Sequence, residues 1–426
     1  MQEAFLHYIW QFKKFDTASL QTTRGEAIIL RNTGYPNTHG GPDFFNAQLE
    51  IDGITWVGNV EIHIKSSDWY VHSHEMDSAY DNVILHVVYE HDTEVFIKNN
   101  AVVPTLVLKD IIHTNLLRNY EKLLVSSHKW INCESDFANI DEFLMNNWLE
   151  RLYIERLERK AIVIDDLLKA TKNDWEAVLF TLLAKNFGLK INGEAFLMMA
   201  KSFKFSILRK LQSQPLQLEA LLFGQAGVLD KDHEDAYYVS LVKEYQFLKQ
   251  KFNLPATNVI PLQFFRLRPP NFPTIRLSQL AMLYHQHPNV FTKVMTAETL
   301  EDIYRLFSIG ASEYWVTHYT FSKTSKASSK MLTKNFIDLL LINTLLPLKF
   351  SYLKFQGKQP TESVLNFAQS LNSEKNNIIT SYNKLKPISK SALISQALLQ
   401  LKTEYCEKNN CMHCAIGHSL MKTEEQ

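Results

Sequence analysis

Asp43 and Glu61 are the two carboxylates whose surroundings most suggest chemistry. Asp43 follows Gly40-Gly41-Pro42 and opens the alternating run FFNAQLEID (44–52), while Glu61 lies inside ITWVGNVEIHIK (54–65). Alternate side chains of a strand share a face. Val60, Ile62 and Ile64 therefore point one way, and Asn59, Glu61, His63 and Lys65 the other. The Gly-Gly-Pro turn fixes the backbone ahead of Asp43 and can present its carboxylate at the sheet edge. Two carboxylates with a nitrogen donor can hold Mg²⁺ or Mn²⁺ against a phosphate, where the ion lowers the pKa of a bound water and stabilises charge on the phosphate oxygens. The plainer reading of the same row is a polar strand face turned to solvent.

A second group follows in SSDWYVHSHEMDSAYD: Asp68, His72, His74 and Asp77, with His86 on the next strand. His72 or His74 is expected to reach back over the Glu61 face, as a support for a ligand or a contact to substrate phosphate. His86, in an apolar run, reads as a hydrogen-bonded core histidine. Asp68 and Trp69 read as the cap and anchor of a short helix. Arg266, Arg268 and Arg276, in FRLRPPNFPTIRL, offer guanidinium forks suited to phosphate. The competing reading is a rigid turn whose arginines pair locally.

The chain has four cysteines, three of them in YCEKNNCMHC as Cys406, Cys411 and Cys414. With Cys133 they supply the four thiolates that Zn²⁺ or an iron–sulfur cluster needs. His413 and His418 are possible substitute ligands, and an unmetallated trio beside a buried core thiol is the bland alternative.

The elements that must position these residues change character along the chain. Up to about residue 110 the pattern is mostly strand: 26–32, 44–52, 54–65, 82–90 and a hairpin over 95–108, with a loop and short helix between Lys65 and Asn82. Beyond it, apolar residues recur at helical spacing over 141–170, 174–187, 216–224, 235–252, 297–308, 333–346, 360–372 and 389–405. No fixed repeat supports a solenoid. The expectation is an α/β (α+β) domain over 1–125 and a large all-α region over 126–426 that carries the cysteine cluster.

With 45 basic and 45 acidic residues the formal charge is zero, so nucleic-acid binding would need a localised groove. The N-terminus MQEAFLHYIWQFKKFD lacks the basic region and apolar run of an export signal. The most apolar stretch, 336–350, reads as a buried helix too short for a bilayer. A cytoplasmic protein with no membrane partner is expected. Neither a glycine-rich phosphate loop, a dinucleotide fingerprint nor a G-x-S-x-G elbow occurs, which disfavours kinases, P-loop NTPases, NAD enzymes and that type of serine hydrolase.

Pro42-Asp43, the hairpin, and Glu61-Ile62-His63 resemble the PD-(D/E)xK nuclease superfamily. The resemblance implies a restriction-endonuclease-like domain with a mixed sheet, metal ligation by Asp43 and Glu61, and a lysine that activates water. His63 stands at the lysine position, and Lys65 lies about 7 Å further along the strand. A lone cysteine with a compact trio is also similar to nucleases bearing an iron–sulfur staple. Over nearly its full length the chain resembles an uncharacterised bacterial family, domain of unknown function 2851, through GPDFFNAQLEI, GNVEIHIKSSDW, HSHEMDSAYDNVILHVV, RLRPPNFPTIRL and CMHCAIG. Two function classes follow. One is a metal-dependent nuclease or nuclease-derived protein acting on nucleic acid, with DNA the expected partner. The other is a non-catalytic binding or scaffold protein with a degenerate nuclease-like core.

Overall fold

The first element of the computed structural model, which describes residues 1–37, 39–124, 129–255, 259–359 and 361–421, is a helix, α1 (Glu3–Gln11). Phe5, Leu6, Ile9 and Trp10 recur at helical spacing and are fully buried. The strand reading of the first 110 residues had no place for it.

Strands then follow as β1 (Leu20–Gln21), β2 (Ala27–Asn32), β3 (Tyr35–Pro36), β4 (Phe44–Ile51) and β5 (Ile54–Lys65). After the short helix α2 (Asp68–Val71) come β6 (Val83–Glu90) and β7 (Thr105–Val107), then α3 (Thr114–Leu124). The sheet order is β1-β2-β4-β5-β6-β7, with β3 also on β4. It is mixed: β4 and β5 pair antiparallel, whereas β5–β6 and β6–β7 are parallel. Asp52 and Gly53, both at positive φ, make the tight turn between β4 and β5. The hairpin expected over 95–108 reduces to one antiparallel bridge, Phe96 to Val102, because Thr105–Val107 instead joins β6 in parallel.

One irregularity decides the chemistry. Ala47 pairs with Gly58, and the same register runs on to Ile51 and Ile54, yet Phe44 pairs with Val60. The shift is a bulge, with Asn46 at φ 56°. Continued without it, β4 would set Asp43 against Ile62; with it, Asp43 falls opposite Glu61. A one-residue change of register moves a side chain to the other face.

Val60 and Ile62 join a core with Phe5, Leu6, Ile9, Trp10 and Phe44. The Glu61 face is roofed by a smaller cluster, Trp69, Tyr80, Val83, Val95 and Val103. Glu61 and His63 are consequently buried, at 5% and 1% exposure, and the solvent-facing reading of this strand is overturned.

Two compact units result: Met1–Trp148 with Leu401–Gln426, and Leu149–Gln400. The tail with the cysteines, expected in the helical region, belongs to the sheet unit because Met412 and Met421 enter its core. The second unit is helical, including α5 (Trp175–Phe187), α8 (Pro215–Gln225) and α10 (Pro273–Gln286) after the long α4 (Glu142–Ala170), α6 (Leu189–Lys201), α7 (Phe205–Leu211) and α9 (Ala236–Phe252) between them. A two-stranded hairpin, His318–Thr320 with Lys323–Thr324, interrupts it. Helix Lys334–Phe355, 22 residues with a mean hydropathy of 1.4 in its most apolar window, is long and apolar enough to cross a membrane by length and composition, and 67% of that window is buried inside the protein. The sequence reading made this helix too short, since Pro347 and Lys349 fall within it.

Candidate functional site

Strand register brings the two carboxylates together. The backbone N–H of Asp43 donates to Glu61 Oε2 at 3.1 Å, and the backbone N–H of Ile62 donates to Asp43 Oδ2 at 2.9 Å. On the same face, parallel pairing sets Glu61 beside His86. His63 Nδ1 lies 2.9 Å from His86 Nε2, and His63 Nε2 lies 3.1 Å from His72 Nδ1. The segment after β5 folds back through α2, so that His74 Nε2 reaches 3.1 Å from Glu61 Oε1, with His63 Nε2 at 3.5 Å. His74 is held there by stacking on Tyr80, centroids 3.7 Å apart, and by the edge of Trp69.

His63, His72 and His74 each offer a ring nitrogen within 4.8 Å of the other two. His74 Nε2 is buried and close to Glu61 without hydrogen-bond alignment, and it has no hydrogen-bond partner among the described residues. A buried ring nitrogen left unpaired beside a carboxylate and two further imidazoles is what a shared cation would satisfy. Burial, then the charge of Asp43, pushes the Glu61 carboxyl up to about 9. Burial and the neighbouring His74 and His72 push His63 down to about 3, and burial also lowers His74 and His86. His63 and His74 are thus neutral and able to donate lone pairs, and Glu61 ionises readily only beside a positive charge. Three imidazoles and a carboxylate fit a divalent metal ion.

Two residues of this site were missed in the sequence. His7 Nε2 lies 3.2 Å from Asp43 Oδ2, and the Asp43 carboxylate raises its pKa despite burial. Glu3, one turn earlier on α1, is pushed up by burial and by Asp43. Their i, i+4 spacing within an amphipathic stretch was the available signal.

The other expected residues are distributed differently. Lys65 is exposed at the end of β5, and its backbone N–H donates to Asp68 Oδ2 at 3.0 Å. Asp68 therefore caps the strand end, and Trp69, buried, donates through Nε1 to the Phe96 carbonyl. Arg266 and Arg268 are exposed in the second unit. Arg276 is not in the proline loop: α10 starts at Pro273, and Arg276 is buried, 3.6 Å over the Phe336 ring, with Gln279 and Asn271 side-chain oxygens as partners. It is a structural residue.

Residues 3–377 match a family model described as a protein of unknown function, DUF2851. The chain belongs to this family. The DUF2851 match takes in Asp43, Glu61, the histidine cluster and Cys133, and it stops before Cys406. No curated protein and no solved structure matches the chain.

Proposed function

We propose that the sheet unit is a divalent-metal-dependent phosphodiesterase of the PD-(D/E)xK type, acting on nucleic acid, DNA first. The observation that carries this reading is the convergence of Glu61 Oε1 with the ring nitrogens of His63, His72 and His74, beside Asp43. Glu61 and the three histidines would hold the ion, with Asp43 adding negative charge alongside. When bound, the ion supplies a water of lowered pKa and stabilises charge on phosphate oxygens. Of the two ions the motif implies, Mn²⁺ suits an imidazole-rich set better than Mg²⁺.

His63 replaces the lysine of that superfamily, and it is neutral, flanked by His72 and His86. Its role is ligation and orientation. The proton-carrying group is His7, whose pKa Asp43 raises and whose side chain is 29% exposed at the rim. It can donate a proton to the departing oxygen. Lys65, exposed just beyond, is placed to meet a phosphate of the substrate backbone. The mixed sheet, with a parallel strand after the short crossover helix, fits the restriction-endonuclease-like fold implied by the motif.

A second reading, a non-catalytic binding or scaffold protein with a structural metal, is favoured by the burial of Glu61 and His63, which leaves His72 as the exposed member of the trio. Mn²⁺ titration followed by electron paramagnetic resonance, paired with incubation on DNA and RNA, separates them. Binding with cleavage supports the phosphodiesterase. Binding at the same residues with no cleavage supports the scaffold, and no binding removes both.

A further inference from the structure

A second set of soft donors lies in the same unit. Cys133, Cys406, Cys411 and Cys414 line one small pocket together with Leu123 and Ile416. None of the four is disulfide-bonded. The tail reaches them by turning tightly: a Cβ at Gly417 would overlap the Cys411 carbonyl, so only glycine allows the final helix to sit this close. Hydrogen-bond donors are aimed at the sulfurs. Asn132 Nδ2 lies 3.3 Å from Cys411 Sγ, and the backbone N–H groups of Gly417 and Ile416 donate to Cys414. Such donors favour a thiolate over a thiol.

We propose that these four cysteines ligate one thiolate-bound metal centre, a zinc ion or an iron–sulfur cluster. Three cysteines of the tail and one from the segment after α3 line a single small pocket, with hydrogen-bond donors aimed at two of their sulfurs. A metal centre turns the mutual repulsion of buried thiolates into shared ligation. The nearby histidines are otherwise placed. His413 is exposed, and His418 turns its Nε2 to the Met412 carbonyl and packs its ring against Tyr8.

The metal centre would clasp the tail to the segment after α3, where Asn132 and Cys411 meet across 279 positions of sequence. A link closing so long a loop restricts the unfolded chain strongly.

The test is iron, zinc and acid-labile sulfide analysis of full-length protein purified without oxygen, with visible absorption before and after dithionite. The expected result is near-stoichiometric metal, read as one zinc or as iron with an equal amount of sulfide and a colour that dithionite bleaches. Cys133→Ser and Cys414→Ser should lose most of that metal, and His413→Ala and Glu61→Gln should keep it. No metal at all overturns the proposal in the wild-type protein, whatever the variants do. Full metal in Cys133→Ser overturns four-cysteine ligation. The outcome is independent of whether the Glu61 site cleaves anything.

Discussion

Asp43 and Glu61 hold each other in place across the β4–β5 pair: the Asp43 N–H donates to Glu61 Oε2, and the Asp43 carboxylate accepts from the residue after Glu61. Burial of Glu61, with the half-buried Asp43 carboxylate beside it, raises the Glu61 pKa to about 9. The arrangement is costly alone and favourable around a cation.

At neutral pH and without metal, Glu61 is therefore protonated, and glutamine mimics its shape and charge. Glu61→Gln should leave the metal-free melting temperature nearly unchanged and abolish the rise that Mn²⁺ produces in the wild type. Ile62→Asp, one residue on, places an unpaired charge in the core and should cost more than about 4 kcal/mol. Thermal melts with and without Mn²⁺ check both. Equal destabilisation by the two substitutions would make Glu61 a structural residue.

The stability of metal-free protein should be bell-shaped in pH. Glu61 is raised in the folded state, so its contribution is intact below about 4.5 and is lost as pH climbs toward about 9. His63 is lowered to about 3, as His74 and His86 are lowered, so their contribution is intact above about 6.5 and is lost as pH falls. Three histidines outweigh one acid below about 6.5, which places the maximum near there. The alkaline limb should fall by at most about 1.4 kcal/mol per pH unit and flatten when Mn²⁺ holds Glu61 ionised. Denaturant melts from pH 5 to 9 measure it, and an alkaline limb indifferent to Mn²⁺ would contradict the shared site.

Much of this site was legible, and the missing parts have physical causes. The strict alternation of ITWVGNVEIHIK located β5 and its two faces, and the H-x-H at His72 and His74 marked the return segment. Burial of the Glu61 face was not visible, because Trp69 and Tyr80 cover it from a crossover whose path is tertiary. Glu3 and His7 were passed over because their stretch was read only as a failed export signal, although its apolar spacing is helical. The parallel pairing of Thr105–Val107 and the docking of the tail both depend on partners distant in sequence, which no local pattern names.

The bulge at Asn46 should be necessary for the site. Asn46→Val disfavours the positive-φ backbone of the bulge, and regular pairing over the same residues would set Asp43 against Ile62, on the core face. Mn²⁺ affinity should fall at least about tenfold, with destabilisation from the displaced carboxylate. Unchanged Mn²⁺ affinity in a folded Asn46→Val variant would show that the bulge is not needed to place Asp43.

His72 and His74 should separate ligation from packing. His72 is exposed, so His72→Ala should weaken Mn²⁺ binding with little loss of stability. His74→Ala should weaken binding and also cost about 1–3 kcal/mol, because it removes a ring packed between Tyr80 and Trp69. Calorimetric titration and thermal melts of each variant are the check; a His72→Ala variant that binds Mn²⁺ like the wild type would remove His72 from the ligand set.

The most direct measurement is single-turnover cleavage of labelled single- and double-stranded DNA and RNA by metal-free protein restored with Mn²⁺, run beside Glu61→Gln. Phosphodiester cleavage by the wild type that stops with chelator and is absent from the folded Glu61→Gln variant is the expected result. No cleavage of any substrate by Mn²⁺-loaded wild type, or equal cleavage by the variant, would contradict a catalytic centre at Glu61.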